Sequence, residues 1–208
     1  MAVTITWISH ASFRIAGSRV IYIDPWKIPD GDADGDIVFI SHSHHDHCSA
    51  DDVAKVKAVD GELVGPADAI GPLGGGHVLR PGETADIDGV RITGVPAYNL
   101  TKSYHPRANN WLGAVIEMDG VSIYYAGDTD HVNEMSALRD IDVALLPIGG
   151  TYTMDAARAA DAAADIRCRI AIPYHYGDIV GTAADAAVFA AEAACEVRIL
   201  APGTSLTV

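Results

Sequence analysis

This sequence has few cysteines and no long apolar run. Its three cysteines, Cys48, Cys168 and Cys195, are too few and too scattered for a disulfide framework, which is typical of a reducing compartment. No apolar stretch approaches the roughly 18 residues of a membrane-spanning helix, and the first residues lack the basic start and apolar middle of a secretory signal. We therefore expect a cytoplasmic protein without membrane association.

Positive charge is also scarce. Lysine and arginine together number 14 against 28 acidic residues, so the formal net charge is −14. This excess of negative charge disfavours unselective binding to nucleic acid or to an anionic membrane, and we expect a small-molecule substrate instead. A chain of 208 residues that is 49% hydrophobic is long enough for one domain with a substantial core, predicted here to span residues 1–208. A homo-oligomer is compatible with this composition.

What the sequence does contain is a histidine cluster between two predicted elements. His42, His44, His45 and His47, together with Asp46, occupy positions 42–47. A buried strand is predicted at residues 36–40, and a helix capped by Ser49 at residues 51–59, so the cluster lies on a loop at the carboxyl end of a strand. In such a loop, two rings can face one metal while the adjacent Asp46 and His47 face a second. Two metals roughly 3.5–4 Å apart are suited to hydrolysis.

This His-x-His-x-Asp-His pattern, at His42, His44, Asp46 and His47, resembles the signature of the metallo-β-lactamase fold superfamily. The resemblance implies an α/β fold, a four-layer αββα sandwich in which two mixed sheets face each other and helices cover the outside. The predicted alternation of hairpins and helices is compatible with that fold. Residues 29–35, rich in Asp and Gly, are predicted to form a surface loop.

The same resemblance extends to later positions that each follow a predicted strand. Asp128, in Ala126-Gly127-Asp128, matches the carboxylate that bridges two metals, and His175 matches a ligand of the second metal. For the first metal the sequence leaves two choices, because Asn99 stands where many relatives have histidine and His105 follows six positions later. We take His105 as the ligand and Asn99 as a pocket residue. The implied sets are His42, His44 and His105 on one metal, and Asp46, His47 and His175 on the other, with Asp128 shared.

Two residues nearer the amino terminus have alternative interpretations. The element Ser9-His10-Ala11-Ser12 resembles the Gly-His-Ala-Ser of the branch that contains ascorbate-6-phosphate lactonase and predicted Zn-dependent hydrolases. His10 is then either structural or a pocket residue that transfers protons. Asp24 either forms an Asp-Pro turn or accepts the free ring N–H of a ligand histidine.

Candidate substrate contacts lie in the loop around His105. Lys102 and Arg107 are the only bases clustered there, and they could hold a substrate carboxylate or phosphate. His131 points toward the same region, or it begins a helix predicted at residues 131–139.

The implied chemistry is metal-assisted hydrolysis of a small ester, lactone or phosphoester. A water between two metals would have its pKa lowered from 15.7 toward ~7, and His10 or a second water would protonate the leaving group. Imidazole and carboxylate ligands suit two Zn²⁺ ions per chain, although Mn²⁺ or Fe could occupy the same set. The alternatives are an Fe-dependent oxygenase or oxidoreductase on this fold, and a metal-binding regulatory module without turnover.

Overall fold

The computed structural model of the chain describes residues 1–29 and 33–208 and contains two seven-stranded mixed sheets. The surface loop predicted at residues 29–35 includes residues 30–32, which lie outside the described residues. Within the described ranges, no helix is long and apolar enough to cross a membrane.

The first sheet holds the amino-terminal third of the chain and one strand from the carboxyl end. Its strands are β1 (Thr4–Ser9), β2 (Ser12–Ala16), β3 (Val20–Ile23), β4 (Gly35–Phe39), β5 (Lys57–Gly65), β6 (His77–Val78) and β14 (Ser205–Thr207). Their order is β14-β1-β2-β3-β4-β5-β6. The pairs from β14 to β3 are antiparallel, and those from β3 to β6 are parallel.

The second sheet repeats this arrangement of three antiparallel and three parallel pairs. Its strands are β7 (Thr84–Ile87), β8 (Val90–Pro96), β9 (Leu112–Met118), β10 (Val121–Tyr125), β11 (Val143–Pro147), β12 (Ile170–Tyr174) and β13 (Glu196–Val197), in the order β13-β12-β11-β10-β9-β8-β7. Pairs from β7 to β10 are antiparallel, and pairs from β10 to β13 are parallel.

In the described part of the chain, four α-helices complete the sandwich: α1 (Ala50–Val56), α2 (Ala67–Ile70), α3 (Ala156–Ile166) and α4 (Ala183–Glu192). Side chains alternate across β4, so Ile37 and Phe39 enter the main core between the sheets, whereas Val38 packs with residues of α1 and α2 on the other face. Helix α3 packs on β11 and α4 packs on α3. The predicted αββα layering is therefore confirmed.

Two predicted helices differ from the structure, the first in where it ends and the second in its type. The helix predicted at residues 51–59 ends at Val56, and the chain continues directly as β5, because residues 62–64 pair with β4 and this pairing overrides local helix propensity. The helix predicted at residues 131–139 is a 3₁₀ turn at Asn133–Ala137, in which Met135 N–H donates to the Val132 carbonyl and Leu138 N–H to the Met135 carbonyl.

The strand order brings several loops to one edge of the sandwich. Asp24 follows β3 and the histidine loop follows β4, and these two strands are parallel neighbours. Asp128 follows β10 and His175 follows β12, which lie on either side of β11 with all three strands parallel. Because carboxyl ends of parallel strands meet at the same edge, residues from the first and last fifths of the chain can meet there.

Candidate metal centre

The histidine loop is a compact turn held by its own backbone. The His44 carbonyl accepts hydrogen bonds from the N–H groups of His47 (3.0 Å) and Cys48 (2.9 Å), and the Ser49 side chain caps α1 by accepting from Asp52 N–H. The turn brings the His42 and His47 rings to 4.1 Å between centroids. Both histidines are buried, so a short stretch of sequence delivers two imidazoles to the interior.

The three residues proposed from the sequence for the first metal, His42, His44 and His105, lie close together. Ligand atoms of His42, His44 and His105 all lie within 4.8 Å of one another. His105 reaches the site although its loop is long, and Asn99 lies behind it, because the Asn99 Oδ1 accepts from His105 Nδ1 at 3.0 Å and from His105 N–H at 3.1 Å. Asn99 thus orients His105. It was predicted as a pocket residue, but it is not among the residues that line the cavity above this cluster.

The second set contains one more histidine than was predicted. Ligand atoms of Asp46, His47 and His175 lie within 4.8 Å of one another, and His10 belongs to the same group. His10 Nε2 is 3.3 Å from Asp46 Oδ2, and its ring centroid is 4.0 Å from that of His175. The His10 carbonyl also accepts the His175 N–H at 3.0 Å, which ties the two histidines together.

Asp128 lies between the two sets. Its Oδ1 is 3.4 Å from His47 Nε2, and its Oδ2 is 3.3 Å from His105 Nε2 and 3.2 Å from His175 Nε2. One carboxylate therefore faces ligands of both sets, which is the position that a bridging group requires.

Several buried polar atoms in this cluster lack a hydrogen bond from any described residue. They are Nε2 of His10, His47, His105 and His175, Nδ1 of His10 and His175, and Asp128 Oδ1. A buried polar atom without a partner lowers the stability of the fold by about 1–3 kcal/mol, so four converging imidazoles are destabilising unless a ligand binds them. Imidazole nitrogens and carboxylate oxygens without thiolate are the donors that zinc and similar ions prefer. The residues therefore fit a pair of metal ions.

The charges of the cluster suit cation binding. Burial lowers the pKa of His10 and His44 and lowers that of His42 strongly, which favours the neutral imidazole that metals bind. Burial would raise the pKa of Asp128, but His175 and His47 outweigh it and hold that pKa well below its usual range. Burial would likewise lower the pKa of His47, but Asp128 and Asp24 raise it well above its ordinary value, so a metal ion bound at His47 Nε2 would take the place of a proton.

A buried carboxylate holds the histidine loop from behind. Asp24 Oδ1 accepts from Ser41 N–H at 2.7 Å, and Oδ2 accepts from the Ser41 hydroxyl, from the Tyr125 hydroxyl at 2.6 Å and from His47 Nδ1 at 2.7 Å. Ser41 Oγ in turn lies 2.9 Å from His42 Nδ1. Because the Asp24 carboxylate can only accept, His47 must donate to it from Nδ1–H. The Ser41 hydroxyl gives its proton to Asp24, so it accepts from His42 Nδ1–H. Nε2 of His42 and of His47 is then left for a metal.

Three of these residues have left-handed backbone conformations. The φ angles are 40° for His10, 43° for Asp24 and 61° for His175. Non-glycine residues at positive φ are uncommon and cost of order 1–3 kcal/mol each, so they persist where the surrounding structure holds them. Their concentration at this cluster is typical of a functional site.

The predicted substrate contacts do not reach the site. Lys102 Nζ lies 3.0 Å from Asp130 Oδ1, Arg107 pairs with Glu134 at 2.8 Å, and His131 Nε2 lies 2.9 Å from Asp165. None of these three side chains lines the cavity above the cluster, which measures about 240 Å³. The floor of that cavity is made by His44, Asp46, His105 and Asp128.

The rim of the cavity is formed by four residues. His45 belongs to the histidine cluster but had no predicted role, and the sequence did not single out Tyr104, Tyr152 and Ile179. Tyr104 could have been found because it is the neighbour of His105 in the sequence, and Ile179 because it is an apolar residue within a loop. Tyr152 precedes α3, which begins at Ala156, and no sequence feature marks it. Trp111 was also missed, although its ring lies within 5 Å of those of His42 and His44.

Comparison with known proteins gives consistent results. A family profile described as "Beta-lactamase superfamily domain" matches residues 4–175. A "UPF0173 metal-dependent hydrolase" of Methanoculleus marisnigri is 38% identical over 191 residues, covering 83% of this chain and 80% of the relative. One of Thermococcus onnurineus is 35% identical over 98% of this chain and 99% of its own. The solved structure of Igni18, a metallo hydrolase of the archaeon Ignicoccus hospitalis, has 26% identity and a TM-score of 0.82, and the alignment covers 100% of this chain and 99% of that one.

Proposed function

Because the chain belongs to the UPF0173 metal-dependent hydrolases of the metallo-β-lactamase superfamily, we propose that it is a binuclear hydrolase with zinc as its metal. The proposed substrates are small esters, lactones or phosphoesters. The observation that carries the proposal is the set of buried, unpaired histidine nitrogens that converge on Asp46 and Asp128 beneath an open cavity.

The proposed ligands are His42, His44 and His105 for one ion, and Asp46, His47 and His175 for the other, with Asp128 facing both. When bound, two such ions supply Lewis acidity, which makes water more acidic and polarises a carbonyl or phosphoryl oxygen. Asp46 and Asp128 contribute the two negative charges of the cavity floor and so balance part of the cationic charge.

The chain's other residues position these ligands. Asp24 directs His47, and through Ser41 it directs His42, while Asn99 directs His105. His10 is only 2% exposed and does not line the cavity, so it cannot reach a leaving group directly. We propose instead that His10 holds Asp46 and adds to the second ligand set.

The decisive experiment combines metal analysis with a substrate screen. Purified protein is expected to hold about two metal ions per chain by mass spectrometric elemental analysis. It should also hydrolyse at least one compound in a panel of lactones, esters, thioesters, phosphomonoesters and phosphodiesters. Asp128→Asn should abolish that activity and reduce the metal content, whereas the control Asp165→Asn makes the same change on the exposed surface and should do neither.

The outcomes separate the alternatives. Activity that survives Asp128→Asn would refute the two-metal assignment. One ion per chain with no turnover across the panel would indicate a metal-binding regulatory module. Iron with visible absorption and oxygen consumption would indicate an oxygenase.

A further inference from the structure

The cavity above the metal cluster combines a polar floor with an apolar rim. Tyr104 and Tyr152 meet edge to face with ring centroids 4.7 Å apart, and Ile179 stands at the same opening. Tyr104 is 46% exposed and Ile179 is 41% exposed, so large apolar surfaces face solvent beside a buried charged cluster. Exposed apolar residues grouped at a cavity mouth are typical of a surface that a ligand covers.

No lysine or arginine is among the described residues that line this cavity. The nearby cations are each occupied by a carboxylate. Lys27 Nζ lies 2.6 Å from Asp178 Oδ2 and stacks over Trp26, Lys102 is held by Asp130 and the Thr153 carbonyl, and Arg107 is held by Glu134.

An anionic substituent that lies against the rim would therefore have no lysine or arginine to pair with among the described residues that line the cavity. The floor already carries Asp46 and Asp128, and the protein has a formal net charge of −14. In the binding mode considered, the reacting oxygen lies against the proposed metal ions and the substituent lies against the rim. A second anion at the rim, such as the phosphate of a phosphorylated sugar acid, would meet no lysine or arginine there, and the His45 imidazole on the rim already lies 3.6 Å from Asp46 Oδ1. An unpaired charge is costly to desolvate.

Size gives a further constraint. The cavity of about 240 Å³ lies below the roughly 300–1,000 Å³ of pockets that enclose drug-sized ligands. It has room for one ring or one short branched chain beside the reacting group. Two tyrosine rings and an isoleucine side chain match such an apolar group in shape and polarity.

We propose that this cavity selects neutral carboxylic esters or lactones that carry one aromatic or branched apolar substituent, which packs against Tyr104, Tyr152 and Ile179. The inference rests on the proposed hydrolase function and specifies its substrate class. In the reaction, water adds to the carbonyl carbon and the bond from that carbon to the ring or ester oxygen breaks. That oxygen leaves as a hydroxyl after gaining a proton, so one lactone and one water give one hydroxy acid.

The test uses three γ-butyrolactones that differ only at the γ-carbon, which bears hydrogen, phenyl or carboxylate. Since covering a phenyl ring gains about 1.5–3 kcal/mol, kcat/KM for the phenyl lactone should exceed that of the unsubstituted one by about 10- to 100-fold. The carboxylated lactone should be the poorest substrate.

Three variants localise the effect. The double variant Tyr104→Ser with Ile179→Ser should reduce the ratio of phenyl to unsubstituted kcat/KM at least several-fold, because two of the three apolar side chains that cover the phenyl ring are gone. Ile179→Lys should raise the relative rate for the carboxylated lactone. Leu100→Ser is the matched control, since Leu100 is an exposed apolar residue that does not line the cavity, and it should leave the ratio unchanged.

A binding readout keeps the inference separate from the proposed function. Saturation-transfer NMR of the phenyl lactone with the Asp128→Asn variant should show contact through the ring, and the signal of this contact should fall when Tyr104 and Ile179 are also changed to Ser. Ring contact without turnover by the wild type would support the substrate class but refute the hydrolase. Faster hydrolysis of the carboxylated lactone, or a ratio insensitive to the rim variants, would overturn the inference while the hydrolase stands.

Discussion

The change Asp24→Asn should destabilise the protein and weaken its metal site, although the asparagine side chain has nearly the same size and shape as aspartate. The carboxylate accepts four hydrogen bonds, one on Oδ1 from Ser41 N–H and three on Oδ2 from Ser41, Tyr125 and His47. An asparagine amide has one acceptor atom, so at least one of these donors must face its NH₂ group. Asn tolerates the left-handed φ of 43° at this position, so the backbone does not confound the comparison.

The magnitude follows from these bonds. The least costly orientation turns the amide nitrogen toward Ser41 N–H and leaves that donor unpaired, at about 1–3 kcal/mol. The other three bonds change from charge-assisted to neutral, which costs about 1 kcal/mol each. The free energy of unfolding should therefore fall by about 4–6 kcal/mol, and the affinity for metal by about 10- to 100-fold, as is usual when a partner of a ligand histidine is lost.

Urea unfolding in the presence of a chelator, followed by circular dichroism, measures the first quantity. Competition with a chromophoric chelator measures the second. Tyr125→Phe removes one donor and keeps the carboxylate, so it should cost only about 1 kcal/mol. Asp34→Asn breaks a partly exposed pair with Arg14 and should cost less than about 1 kcal/mol. If Asp24→Asn unfolds within 1 kcal/mol of the wild type and keeps its metal affinity, the assignment of Asp24 as the support of the histidine loop is wrong.

Three further predictions follow from the structure. In Gly149→Ala, the new Cβ would lie 2.5 Å from the His175 carbonyl oxygen and 3.0 Å from its Nδ1, so metal affinity measured by chelator competition should fall. The control is Gly71→Ala, in which the new Cβ meets nothing within 4 Å. An equal loss of affinity in the control would count against steric displacement of His175. Removing the metal with a chelator should lower the melting temperature, and adding zinc should restore it. The reason is that an ion present at 100 times its Kd stabilises the native state by about 2.7 kcal/mol. An unchanged melting curve would argue against a buried metal site. Partial burial would raise the pKa of Asp52, but Lys55 and backbone donors hold it below its usual value. Asp52→Asn should therefore cost about 1–3 kcal/mol at pH 7, and the difference from wild type should shrink as the pH falls through about 4 toward the folded-state pKa; a difference that is the same at pH 7 and pH 3 would contradict it.

Much of the fold could be predicted because its rules are local. A short apolar run rich in β-branched and aromatic residues predicts the strand at residues 36–40, which is observed at Gly35–Phe39. Turn residues such as Asp88-Gly89 favour a hairpin, and they lie between β7 and β8. The failures arose where distant pairing competes with local propensity. Residues 57–61 resemble the continuation of a helix, yet Lys57 already pairs with Gly35 of β4 and the pairing resumes at Glu62, so this segment is part of β5.

The sequence by itself determined the chemistry of the metal cluster. The run of histidines with Asp46 was recognisable by residue type and spacing, and the resemblance to the metallo-β-lactamase superfamily added Asp128 and His175 as candidate ligands. Tertiary structure alone decided which residues serve that cluster. Tyr125 reaches Asp24 across 101 positions, His10 enters the second ligand set, and Lys102 is neutralised by Asp130 instead of facing a substrate. The physical reason is that a hydrogen bond or an ion pair depends on distances of about 3 Å between side chains, which only the packing of the two sheets fixes.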